Sequence, residues 1–228
     1  MASIIDSFRD VFTDKNSFVK ILILTLPVYF SYVYYVKKSP DFIWLAGITI
    51  FLLFGFLAKV SSRVLNDQDS VLPSLNPFPI LWTALKGLIA VGPITLVSCF
   101  LANYVCSLIN IFPWVDNTLK TCFWLVAISV SITAFLMFIT RENIVDAYRI
   151  KLLFDKAGDI IVVVIVYIIQ LVVINAPTAG ILGYTIFILF GMGDFLIFFI
   201  AFAITFNIGA LGHFLAQSHY DVLEKELN

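Results

Sequence analysis

The stretch that decides the fold runs from Phe18 to Val60, FVKILILTLPVYFSYVYYVKKSPDFIWLAGITIFLLFGFLAKV. It carries no charge between Lys20 and Lys37, and none again between Asp41 and Lys59. An ion at the centre of a bilayer costs roughly 2.5 to 3.5 kcal/mol on the insertion scale, so long charge-free runs map where a chain can cross. Here two such runs are separated only by Lys37, Lys38, Ser39, Pro40 and Asp41. That spacing predicts an antiparallel hairpin of two spans, Phe18 to Val36 and Phe42 to about Val60.

Composition extends this reading to the whole chain. Of the 228 residues, 61% are hydrophobic and 13% charged, against about 45–50% and about 25% in soluble domains. Mean hydropathy is +1.01. With 23 Phe residues as well, the apolar surface exceeds what a soluble core of this size can hide. The first apolar run begins only at Phe18 and ends in Tyr34, Tyr35, Val36, Lys37 and Lys38 without a small-residue cleavage site, so it reads as a retained helix.

Four further spans follow from the same rule. The third lies within Leu81 to Phe112, with Lys86 near its start and a bend at Gly92 and Pro93. The fourth, Leu119 to Thr140, is closed by Arg141 and Glu142, and the fifth runs from Ile160 to Asn175. Pro177 to Gly180 is expected to break that helix. The region from Ile181 to Tyr220 is too long for one crossing and too short for two with a turn. It divides at Gly191 to Asp194 into an interfacial or re-entrant piece, Ile181 to Phe190, and a sixth span, Phe195 to Gln217; a seven-span reading is the alternative. Polar segments at Ser61 to Pro79 and Asn143 to Asp159 lie at the membrane surface. The expected class is therefore an all-α polytopic membrane protein of about six helices in three hairpins, forming a single membrane domain over 1–228.

Basic residues orient it. Eleven of the 14 Lys and Arg fall on the N-terminal side of a six-span topology and three on the other, Lys37, Lys38 and Lys120. Both termini are thus expected on the cytoplasmic side of a cell membrane. A formal net charge of -1 with no surplus of Lys and Arg argues against nucleic acid as a partner.

An internal repeat is also legible. Ile4, Ile5, Asp6, Ser7, Phe8 and Arg9 align with Ile144, Val145, Asp146, Ala147, Tyr148 and Arg149, and an Asp-Lys pair follows each run at Asp14–Lys15 and Asp155–Lys156. In the first copy the apolar residues Ile4, Ile5, Phe8, Val11 and Phe12 take helical spacing, which predicts an amphipathic interfacial helix. Gly55, Ala58, Lys59 and Arg63 align likewise with Gly209, Gly212, His213 and Gln217. The repeat-like units are 1–66, 76–140 and 142–220, each an interfacial segment leading a hairpin.

Few residues carry chemistry. Cys99, Cys106 and Cys122 sit within or beside apolar runs without metal or redox spacing. With His213 and His219 the only histidines, neither a zinc site nor a nucleophile scheme is supplied, and no phosphate-cradling glycine loop occurs. No catalytic residue, cofactor or metal is expected. Candidate intramembrane polar residues are Asn103, Gln170, Asp194 and Asn207, joined by Asn110 and Asn175 near the ends of apolar runs. Candidate contacts for a lipid or substrate are Lys59, Arg63, Arg141, Arg149 and His213, all placed near the cytoplasmic ends of spans.

The opening Ile5, Asp6, Ser7, Phe8, Arg9 helix followed by Phe18, Val19, Lys20, Ile21 and Leu22 resembles the domain of unknown function 4013 family of multi-span prokaryotic membrane proteins. Gly55 to Val60, the Leu72–Pro73 loop and Leu81 to Lys86 extend the likeness over most of the chain. The resemblance implies a multi-span fold and no particular activity.

The expected function is a non-enzymatic transport-related or scaffold bundle. The alternative is an enzyme or binding protein that acts on anionic lipid head groups at the cytoplasmic interface. Membrane lipids are the expected partners, together with other membrane proteins or further copies of the chain.

Overall fold

A computed structural model describes residues 3–66, 68–74, 76–108, 113–185, 191 and 193–222. It is helical throughout, with no strand among the described residues. The helices are α1 (Ile4–Thr13), α2 (Ser17–Val36), α3 (Phe42–Leu65), α4 (Pro77–Leu108), α5 (Pro113–Arg141), α6 (Ile150–Tyr184) and α7 (Gly193–Val222), with one 3-10 turn at Ile144–Tyr148. Among the described residues five helices are long and apolar enough to cross a membrane: α2, α3, α4, α5 from Val115, and α7 from Phe195 to His219. Large apolar side chains such as Ile43, Trp44, Ile48 and Ile50 stand exposed along α3, and Leu96, Val97 and Phe100 along α4. Surfaces of this kind suit hydrocarbon, so the chain is a polytopic helical membrane protein.

The chain folds into two compact units. The first comprises Met1–Ala84 and Tyr167–Gln217. Its core gathers Val11, Ile21, Phe56, Val60, Leu72 and Ile80. Two glycines set its helix spacing. A Cβ on Gly55 would run into the Ile80 carbonyl oxygen, and one on Gly212 would lie 2.9 Å from the Leu57 oxygen. Where α3 meets α7 at Gly212, Ser61 Oγ donates to the Gly212 oxygen at 2.8 Å. Across the α2–α3 hairpin Ser31 and Thr49 share a hydroxyl hydrogen bond of 2.8 Å.

Helix α1 starts at Ser3, whose hydroxyl accepts from Asp6 N at 3.3 Å. Ile4, Ser7 and Val11 form its buried stripe. Asp14, just past its end, accepts from Ser70 Oγ at 2.9 Å and from Leu72 N. Lys20 Nζ donates to the Leu72 oxygen at 3.1 Å and to Ser70 Oγ at 3.2 Å. The loop after α3 is thereby tied to the start of the chain, with Leu72 in the core.

The second unit comprises Leu85–Val166 and Ser218–Asn228. In α5 Ala134, Leu136, Phe138 and Ile139 are fully buried. Glu142 follows at φ 48 and turns the chain. Asn143 then caps the 3-10 turn, its Oδ1 accepting from Val145 N at 3.1 Å, and Tyr148 OH donates to the Ile89 oxygen at 2.8 Å.

Three expectations change. Helix α6 runs through Pro177 to Tyr184 instead of breaking there. Proline removes one N–H, and a helix among apolar neighbours tolerates that loss when local groups take up the freed carbonyl. Ile181–Tyr184 therefore continue α6 and do not begin a separate piece; residues 186–190 lie outside the described residues. The polar segment from Asn143 to Asp159 is a short 3-10 turn and then the first turns of α6, so Lys151, Asp155, Lys156 and Asp159 sit on that helix. The expected fifth span, Ile160 to Asn175, lies within α6.

Candidate interfacial anion site

Arg141 ends α5, and Arg149 stands one residue beyond the 3-10 turn. The reversal at Glu142 and the Asn143 cap fold the short connection back, and both arginines come to line one cavity with Thr140, Asp146 and His219. Arg149 Nη2 lies 2.8 Å from Asp146 Oδ1, which fixes its guanidinium while half of its side chain stays exposed. Thr140 donates its hydroxyl to the Leu136 oxygen at 2.9 Å. His219 Nε2 is 2.7 Å from the same Thr140 oxygen. With that hydroxyl proton engaged, the shared bond needs the proton on His219 Nε2. His219 is buried, whereas Arg141 and Arg149 are exposed.

The cavity measures about 30 Å³. That admits roughly one or two water molecules, or a single oxygen of a larger anion. A phosphate could therefore place one oxygen inside and keep the rest against the exposed guanidiniums, whose forked donors match it.

An apolar crevice belongs to the same unit. Two cavities of about 250 and 130 Å³ share Ser98, Leu101, Val130 and Phe154 and so adjoin, together making a crevice lined by α4, α5 and the start of α6. It follows α4 from Pro93 to Val105, about 18 Å at 1.5 Å per residue. Tyr148 and Ile150 border it. The residues on either side of Arg149 thus line an apolar crevice while Arg149 itself lines the polar cavity.

Of the other basic candidates, Arg63 and His213 are engaged within the first unit. Arg63 Nε donates to the Ser70 oxygen at 2.6 Å and holds the loop after α3. Lys59 is half-buried in α3. His213 is 4% exposed; its Nδ1 lies 3.1 Å from Ser7 Oγ and its Nε2 3.3 Å from Asp10 Oδ2. Ser, His and Asp are the residue types of a hydrolase triad, but Ser7 has no exposed surface and its hydroxyl is also within 3.0 Å of the Ser3 oxygen. A nucleophile sealed from substrate does no chemistry, so the trio latches α1 to α7.

Among the amides, Asn207 pairs with Asn175 in α6, each Nδ2 donating to the other's Oδ1 at 3.1 Å. Asn103 is exposed on α4. The side chains of Gln170 and Asp194, and all of Asn110, lie outside the described residues. No group of three potential metal ligands occurs among the described residues.

Sequence reasoning missed Thr140, Asp146 and His219 as neighbours of the two arginines. One signal was present: Asp146 and Arg149 are spaced to pair across one turn, as are the aligned Asp6 and Arg9, which lie 3.3 Å apart. Compared with family models, with curated proteins and with solved structures, the chain finds no match in any of the three.

Proposed function

We propose that this protein is a non-enzymatic, lipid-binding membrane protein that takes the phosphate of an anionic lipid on Arg141 and Arg149. The observation that carries the reading is the segment from Asp146 to Phe154, which lines a small polar cavity and an apolar crevice from adjacent positions. A molecule with a charged end and an apolar chain is the ligand class that uses both. Lipid phosphates lie at the ends of spans, where Arg141 closes the apolar run of α5. Charge-assisted hydrogen bonds contribute about 1.5–3 kcal/mol each, so two arginines outweigh the Asp146 carboxylate that lines the cavity with them.

In the topology that goes with this reading α6 supplies the sixth crossing, both termini face the cytoplasm, and the arginine-bearing ends lie in the cytoplasmic leaflet of the cell membrane. The eleven-to-three distribution of bases supports it. The matching Asp6–Arg9 and Asp146–Arg149 pairs support descent of the interfacial segments from one repeat. A transport pathway would call for a polar-lined cavity at mid-depth, whereas the cavity beside Asn207 is walled mainly by Leu, Ile and Phe, which favours binding over transport.

Native mass spectrometry tests the proposal. Protein released from mixed phosphatidylglycerol and phosphatidylcholine should retain the anionic lipid, and the Arg141→Ala, Arg149→Ala double variant should lose that preference by about tenfold or more, the loss of at least one charge-assisted bond. Equal retention of the two lipids by the unmodified chain would refute it.

A further inference from the structure

The other unit holds a cavity beside the middle of a candidate membrane span. Asn207 is twelve residues from either end of the Phe195–His219 span, about 18 Å from each at 1.5 Å per residue. Beside it is a cavity of about 610 Å³ whose walls include Phe199, Ile200 and Ile204 with Tyr167, Asn175 and Asn207. That volume is in the range of a site for one small molecule.

The polar groups on its wall are unevenly engaged. Asn207 Nδ2 uses both of its N–H bonds, one to Asn175 Oδ1 at 3.1 Å and one to the Ala203 oxygen at 2.7 Å. The Tyr167 hydroxyl is directed to the backbone oxygen of Asn207 at 3.4 Å. Among the described residues Asn207 Oδ1 accepts from Asn175 alone, and a carboxamide oxygen has two lone pairs. What Asn207 offers a ligand is therefore an acceptor. A charged head group is excluded so far from either interface by its cost in hydrocarbon, and water is scarce there.

We propose that this cavity binds a neutral, membrane-dissolved alcohol, its apolar body against Phe199, Ile200 and Ile204 and its hydroxyl donating to Asn207 Oδ1. The site is independent of the Arg141–Arg149 cavity, and neither stands or falls with the other. Interhelical hydrogen bonds in membranes are modest, so the hydroxyl should confer a preference of about three- to fifteen-fold over the same body without it.

The test uses the full chain in lipid nanodiscs and two photoreactive probes, a diazirine-bearing hexadecanol and the matching diazirine-bearing hexadecane. Labelled peptides are mapped by mass spectrometry. The alcohol should label residues 199–208 about three- to fifteen-fold more than the hydrocarbon. Asn207→Leu should reduce its labelling to the hydrocarbon level. Ala203→Phe, which fills the cavity and keeps the amide pair, should do the same and decides the matter if Asn207→Leu fails to fold. Equal labelling by the two probes would mean an acyl chain is the occupant and would overturn the proposal; so would undiminished alcohol labelling of Ala203→Phe.

Discussion

Gly212 shows how much a single hydrogen in place of a methyl can decide. It faces the Leu57 oxygen and Val60 so closely that a Cβ would lie 2.9 and 3.1 Å from them. Gly212→Ala should therefore destabilise the protein by about 1–3 kcal/mol through overpacking, seen as a lower thermal midpoint in detergent. Gly55→Ala, aimed at the Ile80 backbone oxygen, should cost at least as much. Gly47→Ala meets nothing within 4 Å and should be neutral, or stabilising by up to about 1 kcal/mol from helix propensity. Equal midpoints for all three would contradict the packing described. The small residues at Gly55, Ala58, Gly209 and Gly212 were legible in the sequence as aligned positions of the repeat. Asp14 and Lys20 were not, because their partners Ser70 and Leu72 lie fifty or more positions away and no local spacing announces them.

Among the elements, α1 depends most on residues far along the chain. It is held by His213 through Ser7 and Asp10, and Ser3 N donates to Gln217 Oε1 at 3.3 Å. Phe8 packs on Phe206 with ring centroids 5.3 Å apart. Beyond its end Asp14, with a 2% exposed side chain, pairs with Lys20 at 3.5 Å. His213→Ala should release the helix locally, measured as faster deuterium uptake over residues 3–13 with little change in the α2–α3 hairpin. Asp14→Ala should cost more, about 3–5 kcal/mol, because it strands Lys20 in a nearly buried position; a denaturation midpoint unchanged from the unmodified protein would rule that out. The hairpins were readable from charge-free runs, since charge is costly in hydrocarbon whatever its neighbours. The passage of α6 through Pro177 was not, because proline's cost in a helix depends on surroundings that sequence does not reveal. The candidate site was half legible: Arg141 and Arg149 stood out as charges at span ends, while Thr140 and His219 meet only once α5 and α7 are folded.

For the whole molecule, the topology and the lipid site make linked predictions. With Cys99, Cys106 and Cys122 replaced, single cysteines at Ser39 and Asn117 should react with an impermeant thiol reagent from outside intact cells, and cysteines at Asp69 and Asn143 only after the membrane is opened. Labelling of Ser39 and Asn143 from the same side would remove the proposed arrangement. The most direct measurement is a cryo-EM map of the protein in nanodiscs containing phosphatidylglycerol. It should show a phosphate within hydrogen-bonding distance of Arg141 and Arg149, and an acyl chain along α4 between Pro93 and Val105. A crevice closed by its own side chains, with no phosphate density at the two arginines, would contradict the account.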